Sequence, residues 1–154
     1  MLRRALLVLP LLFSCAESAP LRAEALDHAA YRLDAGQAIL DLSLVLRSRS
    51  EEPVSAHALE YDVRLEEETV AVGSAAVGGA TGVLVPAGGT AALQLPLTFG
   101  WDQLPTAVVR RLERGGALPV QVRGNVLVRV PGRTASVRVP FDLDGRLRPV
   151  ELAP

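Results

Sequence analysis

The side chains best able to do chemistry are few and scattered. His28 and His57 are the two imidazoles and Cys15 is the one thiol. Neither histidine has an acid at the spacing of a metal site or a catalytic triad, and no Gly-x-Ser-x-Gly elbow supplies a nucleophile. A site assembled from residues distant in sequence is the one route to catalysis left open. Three adjacent carboxylates, Glu66-Glu67-Glu68, could offer clustered oxygens to a hard cation. Adjacent side chains of an extended segment do not converge, however, and the run lies where a hairpin must turn between Leu65 and Val70, so a solvated turn is expected. Asp142-Leu143-Asp144-Gly145 has the opening of a calcium loop, yet the position where such a loop needs its bidentate Glu is Ala153. A turn is expected there too. The stretch from Gly73 to Gly82 has the freedom of a phosphate loop but no lysine, and reads as a mobile hairpin loop. No catalytic residue, cofactor or metal ligand is expected.

The charged residues narrow the field further. All 16 basic residues are arginine, which removes P-loop and Schiff-base lysine chemistry. Against 17 acids they leave a net charge of -1, so nucleic acid is not an expected partner, and no small-molecule substrate is predicted. Arg110, Arg111 and Arg114 could meet anionic lipid headgroups or form a wet helical face beside Glu113. Trp101, the one tryptophan, could stack on a ligand or fill a junction between sheet and helix.

The amino terminus reads as an address. Arg3-Arg4 is a short basic region, and Ala5 to Phe13 is an apolar run of nine residues. At 1.5 Å per residue it would reach about 14 Å, half of a ~30 Å hydrocarbon core, which suits a secretory signal and not a span. Leu12-Phe13-Ser14-Cys15 resembles a bacterial lipobox, with Phe13 in place of the usual small or β-branched residue. That resemblance implies cleavage before Cys15, lipidation of its thiol, and membrane attachment through the lipid; an ordinary signal peptide with Cys15 a bystander is the alternative. Ala16 in place of Asp implies the outer membrane, periplasmic face. The expected layout is a signal peptide at 1–14, a lipidated cysteine and tether at 15–20, one domain at 21–150 and a tail at 151–154.

These groups need a scaffold, and the pattern supplies strands. Leu40, Leu42, Leu44 and Leu46 alternate with Asp41 and Ser43, the period of a half-buried strand. The alternation returns at 59–65, 93–99, 120–123, 126–130 and 137–141, separated by turn chemistry at Glu51-Glu52-Pro53, Pro86 to Gly89, Pro131-Gly132-Arg133 and Asp144-Gly145. Leu21 to Leu33 is either a first strand or a short helix. Pro96 cannot donate to a ladder, so its strand is an edge or carries a bulge. Between Trp101 and Gly116 the period changes: Leu104, Val108 and Leu112 share a helical face, with Asp102 placed to cap, Pro105 in the first turn and Gly115 as the stop. With 154 residues, 49% apolar and 4% aromatic, the chain makes one domain with a core of Leu, Val and Ala.

The order of these features resembles the water-stress-and-hypersensitive-response (WHy) domain of type 2 late embryogenesis abundant proteins and bacterial lipoproteins. It is carried by Val85 to Gly89, Leu93 to Leu97, the single helix, Gly124 and Val139 to Leu147. The resemblance implies an immunoglobulin/fibronectin-III-like antiparallel β-sandwich with one inserted α-helix at about 102–114, and a link to desiccation stress. Where that family carries Asn-Pro-Asn, this chain has Ser48-Arg49-Ser50, which keeps some side-chain turn capacity but loses the fixed proline φ. The expected function is a lipid-anchored, non-enzymatic envelope protein; the alternative is a periplasmic interaction module accessory to envelope assembly or transport, its protein partner unidentified.

Overall fold

The computed structural model describes residues 18–150. The expected signal peptide at 1–14, the expected lipidation at Cys15 and the tail at 151–154 lie outside the described residues. The protein is mainly β: β1 (Leu21–Asp34), β2 (Gln37–Ser48), β3 (Val54–Leu65), β4 (Glu68–Ala76), β5 (Val83–Val85), β6 (Thr90–Gly100), β7 (Leu118–Arg129) and β8 (Val137–Pro149), with one α-helix among the described residues, α1 (Thr106–Glu113). The strands form a curled sheet in the order β4-β3-β7-β8-β1-β2-β6, with β5 beside β3. Every pairing is antiparallel except the short β1–β8 contact, which is parallel.

Period-two alternation builds the core. Ala38, Leu40, Leu42, Leu44 and Leu46 of β2 are fully buried, facing Leu93, Leu95, Leu97 and Phe99 of β6 across the ladder. Val63 and Leu65 of β3 and Val120, Val122, Val126 and Val128 of β7 supply the other side of one contiguous cluster. Two tight hairpins fix the register. Ala35-Gly36 and Glu66-Glu67 both take positive φ at both turn residues, which matches the right-handed twist of the strands they join.

Several expectations sharpen. Leu21 to Leu33 is strand. Pro96 lies on the edge strand β6 with its register unbroken, so the edge explanation holds and no bulge is needed. The runs at 120–123 and 126–130 are one strand, because Gly124 is extended and pairs with both Tyr61 and Phe141. A Cβ at 124 would collide with the Glu60 carbonyl oxygen, so only glycine lets β7 approach β3 here.

Three expectations are corrected. Asp144-Gly145 is not a turn: Asp144 pairs with Gln121 and Gly145 with Val120, and the inward alternation of Val139, Phe141 and Leu143 continues to Leu147. Gly73 to Gly82 is not one loop, since Gly73 to Ala76 pairs with β3 and only the segment beyond leaves the sheet. The helix begins at Thr106 and not at 102. Pro105 holds Leu104 in an extended conformation (φ -105, ψ 145), so the helix cannot form before the proline. Asp102 therefore sits in a separate 3-10 turn and caps nothing in α1. Val108 and Leu112 are buried and Leu104 nearly so, while Gly115 ends the helix with φ 74.

The register gives the sheet two ends. Leu21 lies beside Ser48 at one, with the turns at 86–89 and 130–136. Ala35-Gly36, Glu66-Glu67 and α1 lie at the other, as does Pro149 beside Tyr31. At ~3.3 Å per residue, β2 alone separates these ends by roughly 36 Å.

Candidate functional site

At the end where the chain enters, Ser48-Arg49-Ser50 makes its turn from side chains. The Ser50 N–H donates to Ser48 Oγ at 3.1 Å and the Glu52 N–H to Ser50 Oγ at 3.2 Å, so the serines do locally what asparagines do. The Arg49 N–H donates to the Pro20 carbonyl at 2.8 Å, a bond that a proline at 49 could not make. The replacement thus ties the incoming segment to the sheet.

The helix arginines are at the opposite end from Pro20. Arg111 Nε pairs with Glu66 Oε1 at 3.0 Å and its guanidinium also donates to the Gly115 and Ala117 carbonyls at 3.3 and 3.2 Å. It closes the helix C-terminus and holds the β3–β4 turn, so Glu66 is an ion-paired turn residue, while Glu66, Glu67 and Glu68 are all exposed. Arg110 and Arg114 are exposed. Trp101 is half-buried against the core between β6 and α1, where its side chain fills the junction, and its backbone N–H donates to the Gly36 carbonyl at 3.2 Å.

The histidines are not brought together. His28 is exposed on β1 opposite Ser43, and His57 lies at a bulge of β3, its Nε2 3.2 Å from Ser136 Oγ. In the sheet, β7 and β8 stand between their strands. Among the described residues no group of three or more His, Cys, Asp or Glu side chains could hold a metal ion. None of their helices is long and apolar enough to cross a membrane.

Alternation along β3 and β7 also places a polar ladder that no sequence motif marks. On the outer face of β3, β7 and β8, Arg123 reaches Asp62 Oδ2 from Nε and Nη2 at 3.1 and 2.9 Å. Arg64 lies 3.9 Å from Asp62 Oδ1, Asn125 donates to Glu60 at 3.1 Å, Arg138 pairs with Glu60, and Gln121 donates to Asp142 at 2.8 Å. The signal was present as charged residues at every second position of 60–64. The outer face of β1, β2 and β6 is plainer: Ile39, Asp41, Ser43 and Val45 line its middle, Gln94 donates to Ser43 Oγ at 3.1 Å, and its charges gather at one end, where Arg47 and Arg22 meet Glu24 at 2.6 and 2.9 Å.

Among the described residues, two titrating groups are shifted. Hydrogen bonds from Arg47, then Arg22, hold the Glu24 carboxyl below its ordinary value. Burial raises the Tyr31 phenol, whose hydroxyl lies 3.1 Å from the Gly116 carbonyl oxygen and 3.5 Å from that of Leu112. Tyr31 also walls an open groove of about 420 Å³ between the end of β1, the end of β8 and α1, flanked by the exposed side chains of Leu33 and Val150.

No family model matches the chain, and no curated protein matches it. Solved structures do. A protein from Arabidopsis thaliana superposes with a TM-score of 0.64 over 90% of each chain at 9% identity. A protein described as late embryogenesis abundant gives 0.56 at 12% identity, over 82% of this chain and 69% of its own. One from Archaeoglobus fulgidus gives 0.51 at 14% identity, over 86% of this chain and all of its own. The likeness is one of fold.

Proposed function

We propose that the protein is a lipid-anchored, non-enzymatic domain of the cell envelope, held by Cys15 at the periplasmic face of the outer membrane and associated with desiccation stress. Its body we read as an immunoglobulin/fibronectin-III-like sandwich, with β1-β2-β6 and β3-β4-β5-β7-β8 as its two layers. The observation that carries the reading is the sole thiol at the lipobox position, just ahead of the first strand at Leu21. The fold shared with a late embryogenesis abundant protein supports the stress association, and the paired ladder supports it physically. As water is withdrawn, charges already matched by neighbours lose less solvation than solitary ones. On this reading the helix end faces away from the membrane, so Arg110, Arg111 and Arg114 do not meet the anchoring lipid layer.

Palmitate labelling of wild type beside Cys15→Ser, with fractionation, tests the anchor. Wild type should label and sediment with membranes, and the variant should do neither. A variant that stays membrane-bound sinks the reading. The groove flanked by Leu33 and Val150 favours a second reading, an interaction module for envelope assembly or transport. Crosslinking through a residue placed at Leu33 should then capture one defined partner.

A further inference from the structure

Between β1 and β8 the ladder is interrupted. The strands pair only at Ala30 with Arg148 and Tyr31 with Pro149, and on its other side β1 shifts register against β2 between Leu26 and His28. Leu26 packs over Gly145, where an added Cβ would lie 2.8 Å from Leu26 Cδ2, so the strands stay close without pairing. Beside this point is an open cleft of about 660 Å³, with Leu26, Ala29 and Pro149 as its apolar floor and Arg146, Arg148, His28 and Asp27 around it. The volume is in the range of small-molecule sites.

The two arginines differ from those of the ladder next to them. Arg123 and Arg138 are each matched to a carboxylate, whereas the guanidinium groups of Arg146 and Arg148 have no ion-pair or hydrogen-bond partner among the described residues. They stand two positions apart on one face of β8, a spacing of about 6.6 Å along the strand. Two guanidinium forks at that spacing can close on one tetrahedral anion. A planar carboxylate fills one fork and leaves the other idle, while a phosphate presents three oxygens. Asp27 is the one carboxylate lining the cleft, and Asp144, next along β8, belongs to the neighbouring cleft with Gln121.

We propose that this cleft binds a phosphomonoester, its dianion held by Arg146 and Arg148 and its organic body lying on Leu26, Ala29 and Pro149. The same chemistry is offered by a soluble phosphomonoester and by the headgroup of a phosphatidic acid. The inference is independent of the anchor.

Calorimetric titration of the full chain with phenyl phosphate, and separately with benzoate, tests the soluble source. Vesicle co-sedimentation of full-length Cys15→Ser, comparing phosphatidic acid with phosphatidylcholine, tests the lipid source. In the arm that binds, Arg146→Gln with Arg148→Gln should weaken affinity about tenfold or more, while circular dichroism stays unchanged because both side chains are exposed. Asp27→Asn should tighten it, and benzoate should bind more weakly than phenyl phosphate. Binding that survives the double substitution, benzoate equal to phenyl phosphate, or no phosphate-dependent binding in either arm overturns the proposal.

Discussion

The two outer faces of this sheet start from the same inner pattern and diverge in chemistry. On β3, β7 and β8 the outward positions carry Glu60, Asp62, Arg64, Arg123 and Arg138; Arg123 is matched to Asp62 and Arg138 to Glu60 across strands, while Arg64 lies beside Asp62 on β3 itself. On β1, β2 and β6 the outward positions are Ile39, Asp41, Ser43, Val45 and Pro96, with a Gln94–Ser43 hydrogen bond across strands and a cross-strand ion pair, Arg47–Glu24, at the end of β2. Inward alternation sets which face is buried; cross-strand matching on the outside makes one register better than its neighbours. The charged face therefore adds matched charges at the middle of its strands, where the plain face has Asp41 and Ser43 and keeps its cross-strand ion pair, Arg47–Glu24, at the end of β2.

The sharpest way to break that contrast is at Gly124, where the charged layer closes up. Gly124→Val should cost about 3 kcal/mol or more in urea denaturation, because β7 must move off β3 and the ladder goes with it. An unchanged midpoint would mean the close approach is dispensable. Next in size is a paired substitution across the two faces. Asp62→Ala removes the partner of Arg123 and should cost about 1–2 kcal/mol, whereas Asp41→Ala should stay within about 0.5 kcal/mol. Equal losses would erase the distinction between the faces.

Tyr31, on the inner side of the plain layer, reaches across to the helix end. Tyr31→Phe should cost about 1 kcal/mol, read from the same melts. The phenol is raised in the folded state, so its contribution is intact below the ordinary value of 10.0 and disappears as pH climbs through the folded one. Removing the hydroxyl should flatten that alkaline limb. The smallest effect is expected at Glu24. Its carboxyl is lowered by Arg47 and Arg22, so the stability it adds is present above 4.5 and disappears as pH falls through the folded value. Glu24→Gln should slightly flatten the acid limb of a stability–pH curve; a steeper limb would reverse the sign assigned to these pairs.

Leucine alternation at 40–46 was enough to place β2, and the change of period at 104–112 was enough to place the helix face. Local rules failed where a longer-range contact overrode them. Asp144-Gly145 has turn chemistry, but Gln121 and Val120 across the ladder hold it extended. Pro105 was legible as a start signal; that it displaces the helix beyond Asp102 follows from its effect on Leu104. The cleft arginines could not be read at all, because their significance lies in having no partner, which depends on strands far apart in sequence.

The direction of β1 and β8 has a mechanical consequence. The chain enters at the foot of β1 and leaves the sheet at the head of β8, and these strands run parallel where they touch. A pull on the two ends drags one strand down and the other up, loading their shared bonds in shear and not peeling them open one by one. The short contact at Ala30–Arg148 and Tyr31–Pro149, together with the bond from the Val150 N–H to the Tyr31 carbonyl, is where such a force would first be felt.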